Sequence, residues 1–145
     1  MPSADDLLKL DNQLCFALVT AARNVVGIYR PILEPLGLTH PQYLVMLALW
    51  EESPRALGAL AGDLAMESAT LSPLVKRLEA QGLVTRGRRR DDERVLEVGL
   101  TDAGRALRSE ALHVPERVMA AVGMTVDEVG ALRDGLAPFA GPRPR

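Results

Sequence analysis

Apolar residues recur at helical spacing along most of the chain. Leu7, Leu10, Leu14, Ala17, Leu18, Ala21, Val25 and Ile28 form one stripe, which predicts a first helix from Asp5 or Asp6, either able to cap it, to Tyr29 or Arg30. Pro31, Pro35 and Gly37 then break the pattern. Thr39, with Pro41 close behind, opens a second helix through Tyr43, Leu44, Met46, Leu47 and Trp50, ending near Glu51 or Glu52. Ser53-Pro54 reads as a turn, and Leu57 to Met66 as a third helix with Leu57, Leu60, Ala61 and Leu64 inward. In the fourth helix Leu71, Leu74, Val75 and Leu78 share one face. Pro73 leaves two starts open: Ser72 as N-cap with Pro73 first in the helix, or a start near Ser68 with one backbone bond lost. Gly82 suits the left-handed turn that ends such a helix.

The spacing then changes. Leu83, Val84 and Thr85 read as one strand, and Val95, Leu96, Val98 and Leu100 as its return. Thr101 caps a fifth helix, TDAGRALRSEALHV, and Pro115 restarts or bends it. Thr125-x-x-Glu128 is a capping box for a last helix ending around Pro138, and the tail GPRPR reads as disordered. The predicted fold class is mainly α with a small β-hairpin. The element order is that of a winged helix-turn-helix flanked by N- and C-terminal helices. The Leu-rich first helix is of the kind that packs against a second subunit.

Composition fits this picture. A hydrophobic share of 48% with only 3% aromatics calls for a core of Leu, Val and Ala, which favours helices. At 145 residues one domain is expected. The single cysteine, Cys15, excludes an intramolecular disulfide and a multi-thiolate zinc site. No stretch approaches the ~18 apolar residues of a membrane span. MPSADDLLKL lacks the order of a signal peptide, so a cytoplasmic protein with no membrane partner is expected.

Charge is uneven. From Lys76 to Arg94 there are seven basic residues against four acids, so this segment is +3 in a chain whose total is −2. Four arginines, Arg86, Arg88, Arg89 and Arg90, crowd the hairpin, followed by Asp91, Asp92, Glu93 and Arg94. Ser68, Thr70, Ser72, Lys76 and Arg77 lie mainly off the apolar face of the fourth helix. Taken singly, the polar helix face is ordinary solvation and the arginine run a solvated turn balanced by its own acids. Together they describe a helix that fits a major groove beside a slim cationic ribbon that reaches phosphates or a minor groove. Double-stranded DNA is the partner this combination points to.

Several motifs carry a family resemblance. Asp92-x-Arg94 and Leu100-Thr101-x-x-Gly104, preceded by Leu78-Glu79-x-x-Gly82-Leu83-Val84, resemble the wing signature of the MarR winged-helix regulators. The run from Leu10 to Leu18, with Tyr29-Arg30-Pro31, Leu36-Gly37-Leu38-Thr39, Pro41 to Leu47 and Trp50-Glu51, is similar to the organic-hydroperoxide-sensing OhrR branch. The likeness extends from about Leu7 to Arg108. It implies one MarR-type domain over 1–145, with a DNA-binding core at about 55–101 and dimerisation helices at about 5–34 and 102–140. It further implies a homodimeric repressor, with no cofactor and no enzyme activity, on a palindromic operator whose half-sites lie about one helical turn apart. Ser68, Thr70, Ser72, Lys76 and Arg77 would contact DNA from the helix. Arg94, positioned by Asp92, would enter the minor groove, and Arg86, Arg88, Arg89 and Arg90 would meet phosphates.

Cys15 has two readings. By its neighbours Leu14, Phe16 and Leu18 it is a small buried hydrophobe. By the resemblance it is the peroxide sensor, oxidised by an organic hydroperoxide to a sulfenic acid, with tyrosines of the partner subunit reporting the change. Tyr29 matches one of these tyrosines. His40 stands where the family usually has the other. There is no resolving cysteine, so a low-molecular-weight thiol, a cyclic sulfenamide or overoxidation must take the sulfenic acid onward. Competing readings are a MarR-type repressor for a small aromatic or phenolic ligand with Cys15 structural, a thiol peroxidase, and a winged helix used for protein contact alone. Against the peroxidase stand two histidines, no second thiol and no metal-ligand spacing.

Overall fold

The computed structural model describes residues 1–141. The helices are α1 (Ala4–Leu7), α2 (Leu14–Leu33), α3 (His40–Glu51), α4 (Leu57–Asp63), α5 (Ser68–Ala80), α6 (Asp102–Ala111), α7 (Val114–Val122) and α8 (Val126–Leu136). Short 3₁₀ turns follow α1, α2 and α8. The strands are β1 (Arg55–Ala56), β2 (Val84–Arg88) and β3 (Leu96–Leu100), in sheet order β1-β3-β2, all antiparallel. The sequence pattern predicts only the β2–β3 hairpin. The third strand is two residues long, with Arg55 opposite Val98 and Ala56 opposite Glu97, too short to show an alternation.

The core is one cluster. Leu33 from the end of α2, Val45, Met46 and Leu49 from α3, Leu60 from α4, Leu71, Val75 and Leu78 from α5, Val84 and Val98 from the sheet and Val114 from α7 are all essentially sealed from solvent. Arg55 fastens the edge of this core. Its side chain, 12% exposed, donates from Nη1 to the Ala48 carbonyl at 3.2 Å and pairs with Asp63, joining the end of α3 to the end of α4.

The N-terminal region departs from its predicted single helix. Ser3, not Asp5 or Asp6, caps α1, and the chain unwinds before α2 starts at Leu14. The amides of Asn12 and Gln13 explain the break. Asn12 donates to the Asp6 carbonyl at 2.5 Å, and Gln13 to the carbonyls of Leu7 and Lys9 at 2.8 Å, so side chains replace the backbone donors a continuing helix would use. Pro31 does not end α2, which runs two residues further to the buried Leu33. The carbonyl that loses its partner belongs to Gly27, which has no Cβ to crowd the ring. Beyond Leu33, α2 buries nothing fully, and Leu14, Phe16, Val19 and Val25 lie exposed along it.

Helix α5 starts at Ser68, so the reading with Ser72 as N-cap is overturned, and Pro73 sits exposed inside the helix. Its far end is a full left-handed cap. Gly82 has φ 78°, the Leu83 N–H donates to Leu78 O at 3.0 Å, and the Gly82 N–H to Glu79 O at 2.9 Å. Thr39, Thr101 and Thr125 cap α3, α6 and α8 as the pattern predicts. The predicted disorder of the tail falls on residues 142–145, outside the described residues. No helix among the described residues is long and apolar enough to cross a membrane.

The first turn of α6 presses on the turn after α5. A Cβ at Gly104 would stand 2.1 Å from the Leu83 carbonyl oxygen, a backbone atom that no rotamer change can move. The Gly104 carbonyl also accepts from Trp50 Nε1 at 2.9 Å. Gly104→Ala is therefore expected to destabilise the fold by about 1–3 kcal/mol. Gly58→Ala, where a Cβ meets nothing within 4 Å, should cost nothing. Urea midpoints at one fixed protein concentration separate the two.

Candidate nucleic-acid interface and the Tyr29–His40 cluster

Helix α5 buries Leu71, Val75 and Leu78 against α4 and the sheet, which turns its other side outward. Ser68, Thr70, Lys76 and Arg77 lie exposed there and Ser72 half-buried, so the structure gathers all five predicted helix residues on one element. The β2–β3 ribbon projects beside it. Residues 89–95 close the ribbon, with the Arg89 N–H donating to Val95 O and the Val95 N–H to Asp92 O, both at 3.0 Å.

The arginines of the ribbon fall into three groups. Arg86 lies in β2 and donates through Nε and Nη2 to Glu79 Oε1 at 3.2 and 3.1 Å. It ties the ribbon to α5 and is only partly accessible. Arg89 forks onto Asp91 at 3.0 and 2.8 Å, which draws the Asp91 carboxyl below its usual range. Arg88, Arg90 and Arg94 are exposed. Arg94 is the best presented. Its side chain is 91% exposed, and Asp92 Oδ1 accepts both its backbone N–H and its Nε at 3.1 Å. The Arg94 hydrogen bonds hold the Asp92 carboxyl low as well. Asp92 thus holds one edge of the Arg94 guanidinium, through Nε and Nη2, while most of the side chain stays open to solvent.

A second cluster lies where α2 meets α3. The rings of Tyr29 and His40 meet edge to face with centroids 4.8 Å apart, and Tyr29 and Tyr43 are 5.9 Å apart. Burial pushes the Tyr29 and Tyr43 phenols up and the His40 imidazole down, so each prefers its neutral form. Cys15 is elsewhere. It lies exposed in the first turn of α2, which corrects the reading of it as a buried hydrophobe within its own chain. It stands 14 residues before Tyr29 on the same helix, about 21 Å along the axis.

Three contributors escape the predicted site. Glu79 anchors Arg86. Gln42 completes the Thr39 capping box and is buried, and Gln81 accepts from it at 3.2 Å. The Thr39-x-x-Gln42 spacing carried the capping-box signal. Gln81 had no sequence signal beyond its place before Gly82.

Comparison with known proteins follows the same residues. Residues 27–111 match the family model described as "Transcriptional regulator SarA/Rot". The chain is 47% identical over 133 residues to the HTH-type transcriptional regulator TtmR of Methylorubrum extorquens, spanning 92% of this chain and 68% of that protein. It is 36% identical over 136 residues to the organic hydroperoxide resistance transcriptional regulator of Bacillus subtilis, spanning 94% and 92%. Among solved structures it is similar to reduced AbfR bound to DNA, with a TM-score of 0.77, 34% identity, and 94% and 96% of the two chains covered. AbfR is a Staphylococcus epidermidis protein.

The His40 environment gives a pH dependence with a definite sign. Folding favours the neutral imidazole, so as pH falls the unfolded chain takes up the proton first. Stability should therefore fall below about pH 6.5 and level off once the folded imidazole also titrates. Urea midpoints at pH 7.5 and 5.5 should drop further in the native protein than in His40→Gln. Equal drops would refute the assignment.

Proposed function

Because the chain belongs to the SarA/Rot and MarR-type family of winged-helix transcriptional regulators, we propose that it is a redox-sensing repressor. On this reading it binds a palindromic operator as a homodimer and is released when an organic hydroperoxide oxidises Cys15. The family consists of DNA-binding regulators and not enzymes. The redox assignment draws on one observation above the rest, a lone exposed thiol on a helix whose apolar Leu14 and Val19 are also exposed, with the half-buried Tyr29 farther along the same helix.

Within one chain Cys15 and Tyr29 cannot meet. Fourteen residues at about 100° each bring them within about 40° of the same side of α2. Two copies of α2 packed antiparallel through that side set each Cys15 against the partner's Tyr29 and bury Leu14, Val19 and Val25. We further propose dimerisation helices at about 5–34 and 102–140 and a DNA-reading core at about 55–101.

The chemistry needs only the thiolate. It attacks the peroxide O–O bond, an S–O bond forms, and the alkoxide leaves and takes a proton as the alcohol. The sulfenic acid then condenses with a low-molecular-weight thiol, giving a mixed disulfide and water. That bulk inside a packed helix interface forces it into a second arrangement, and the two α5 helices lose their one-turn spacing on the operator. An apolar interface selects organic hydroperoxides over hydrogen peroxide. On the DNA side, Ser68, Thr70, Ser72, Lys76 and Arg77 read the major groove and Arg94 enters the minor groove. Arg88, Arg89 and Arg90 take phosphates, and Arg86 acts chiefly through Glu79.

A second reading draws on a groove of about 400 Å³ between α3 and the α6–α7 junction. Tyr43, Leu47, Trp50 and Leu112 form its apolar walls, and Arg108 offers a cation. A small aromatic carboxylate fits that chemistry, with Cys15 then structural.

Anisotropy on DNA from the promoter of its own gene decides between them. A stoichiometric organic hydroperoxide with a small thiol should weaken wild-type binding by tenfold or more, within the range of roughly 5- to 150-fold usual for such coupling, and leave Cys15→Ser unchanged. Release of Cys15→Ser on the same treatment would refute the sensor. In the same assay Arg94→Ala, which removes one cationic contact from each subunit, should lower affinity and reduce the salt slope of the dimer by about 2, whereas Arg86→Ala should leave the slope nearly unchanged.

A further inference from the structure

Among the described residues Gln42 is the single polar side chain buried in the core, at 5% exposure. A buried amide needs fixed partners, and Gln42 has them. Its Oε1 accepts from the Thr39 N–H at 2.9 Å, and its own N–H donates to Thr39 Oγ1 at 3.4 Å. Its Nε2 donates to Gln81 Oε1 at 3.2 Å. The other end of the Gln81 amide returns to the same loop, with Nε2 donating to the Gly37 carbonyl at 2.8 Å. Gln81 is the C-cap of α5. Both faces of one side chain at the end of this helix are thus gripped by the loop between α2 and α3.

That loop leads directly into the Tyr29–His40 cluster. His40 is the first residue of α3 and Gln42 the third, so they share one helical turn and one cap. A displacement of His40 carries the Gln42 amide with it, and Gly37 lies three residues before His40 on the connecting chain. The grip is not the main hold that α5 has on the core. Gln81 is exposed, and α5 is already secured by Leu71, Val75 and Leu78 and by its left-handed cap. What the two bonds supply is direction, since they define where the end of α5 sits relative to the turn that holds His40.

We propose that Gln42 and Gln81 are positioning residues that transmit the state of the Tyr29–His40 cluster to helix α5, and through it to DNA affinity. The redox driver of this link rests on the Cys15 reading above, whereas the link itself rests on the hydrogen bonds. Coupling of this kind is reciprocal, so DNA bound to α5 must in turn alter the surroundings of His40.

The experiment uses the full chain as wild type, Gln81→Ala and Gln81→Glu. The second is isosteric and sets a carboxylate oxygen against the Gly37 carbonyl. Each protein is judged by the ratio of its own reduced to oxidised affinity, because loss of Gln81 leaves the buried Gln42 amide short of one acceptor and Gln81→Glu adds a negative charge at the end of α5. The affinity lost on treatment with cumene hydroperoxide and a small thiol should shrink about tenfold or more in the variants. Proton NMR supplies a readout that does not depend on the thiol. His40 and His113 are the only histidines, and the exposed His113 is an internal reference. DNA should shift the His40 titration midpoint in wild type and not in the Gln81 variants. If wild type ignores peroxide but DNA shifts His40 only when Gln81 is intact, the sensor reading fails and the link stands. Equal His40 shifts in all three proteins, or none in wild type, would overturn the link whatever peroxide does.

Discussion

The structure depends on how the chain leaves helix α5. At Gln81, Gly82 and Leu83 the backbone reverses through a glycine with positive φ, and three neighbours close on the turn. The Thr101 hydroxyl donates to the Gly82 carbonyl at 2.6 Å, and the Thr101 N–H donates to the Leu83 carbonyl at 3.1 Å. Gly104 approaches the same Leu83 carbonyl closely enough to exclude any side chain. Gln81 reaches back to Gly37. The direction of β2, the start of α6 and the seat of the α2–α3 loop all meet in these three residues. Helix α5 cannot shift at this end without moving the ribbon, the loop and α6.

This constraint was partly visible in the residues alone. Gly82 after an apolar helical face, Thr101 before Gly104, and the threonine caps at 39 and 125 are short-range signals whose meaning does not depend on the rest of the fold. The failures share an opposite character. The break before α2 arises because Asn12 and Gln13 turn back onto carbonyls up to six residues away, which hydrophobic spacing does not register. Pro31 and Pro73 stay inside helices because packing at Leu33, Leu71 and Val75 outweighs one lost backbone bond. Strand β1 exists only because β3 lies beside it. Composition made Arg86 one of four equivalent arginines, and only the fold sets Glu79 within reach of it.

The distribution of charge follows from the same geometry. Lys76 and Arg77 lie exposed on α5, while on the ribbon Glu79, Asp91 and Asp92 pair with Arg86, Arg89 and Arg94 and leave Arg88 and Arg90 exposed. A net charge of −2 is therefore compatible with a locally cationic surface. The acids of the hairpin do more than offset charge. Asp92 restricts the Arg94 side chain along one edge of its guanidinium, which lowers the entropy lost when a guanidinium is held in a narrow groove.

On the proposed reading, position 40 is where the sensor can vary while its frame is kept. A tyrosine carries its hydroxyl beyond the ring, whereas an imidazole carries both nitrogens within it. His40 keeps the edge-to-face contact with Tyr29 at 4.8 Å, and with it the packing that seats the first turn of α3. It gives up the reach of a phenol toward a neighbouring subunit. Burial keeps the ring neutral, leaving one donor and one acceptor and no charge to draw a thiolate. On the proposed reading, the polar contact with oxidised Cys15 then falls chiefly to Tyr29. His40 serves as the ring that holds Tyr29 in place and as the first residue of the turn that carries Gln42. On that reading the packing role of position 40 survives, and its hydrogen-bonding role is where a chain with His40 and one with Tyr at that position must differ.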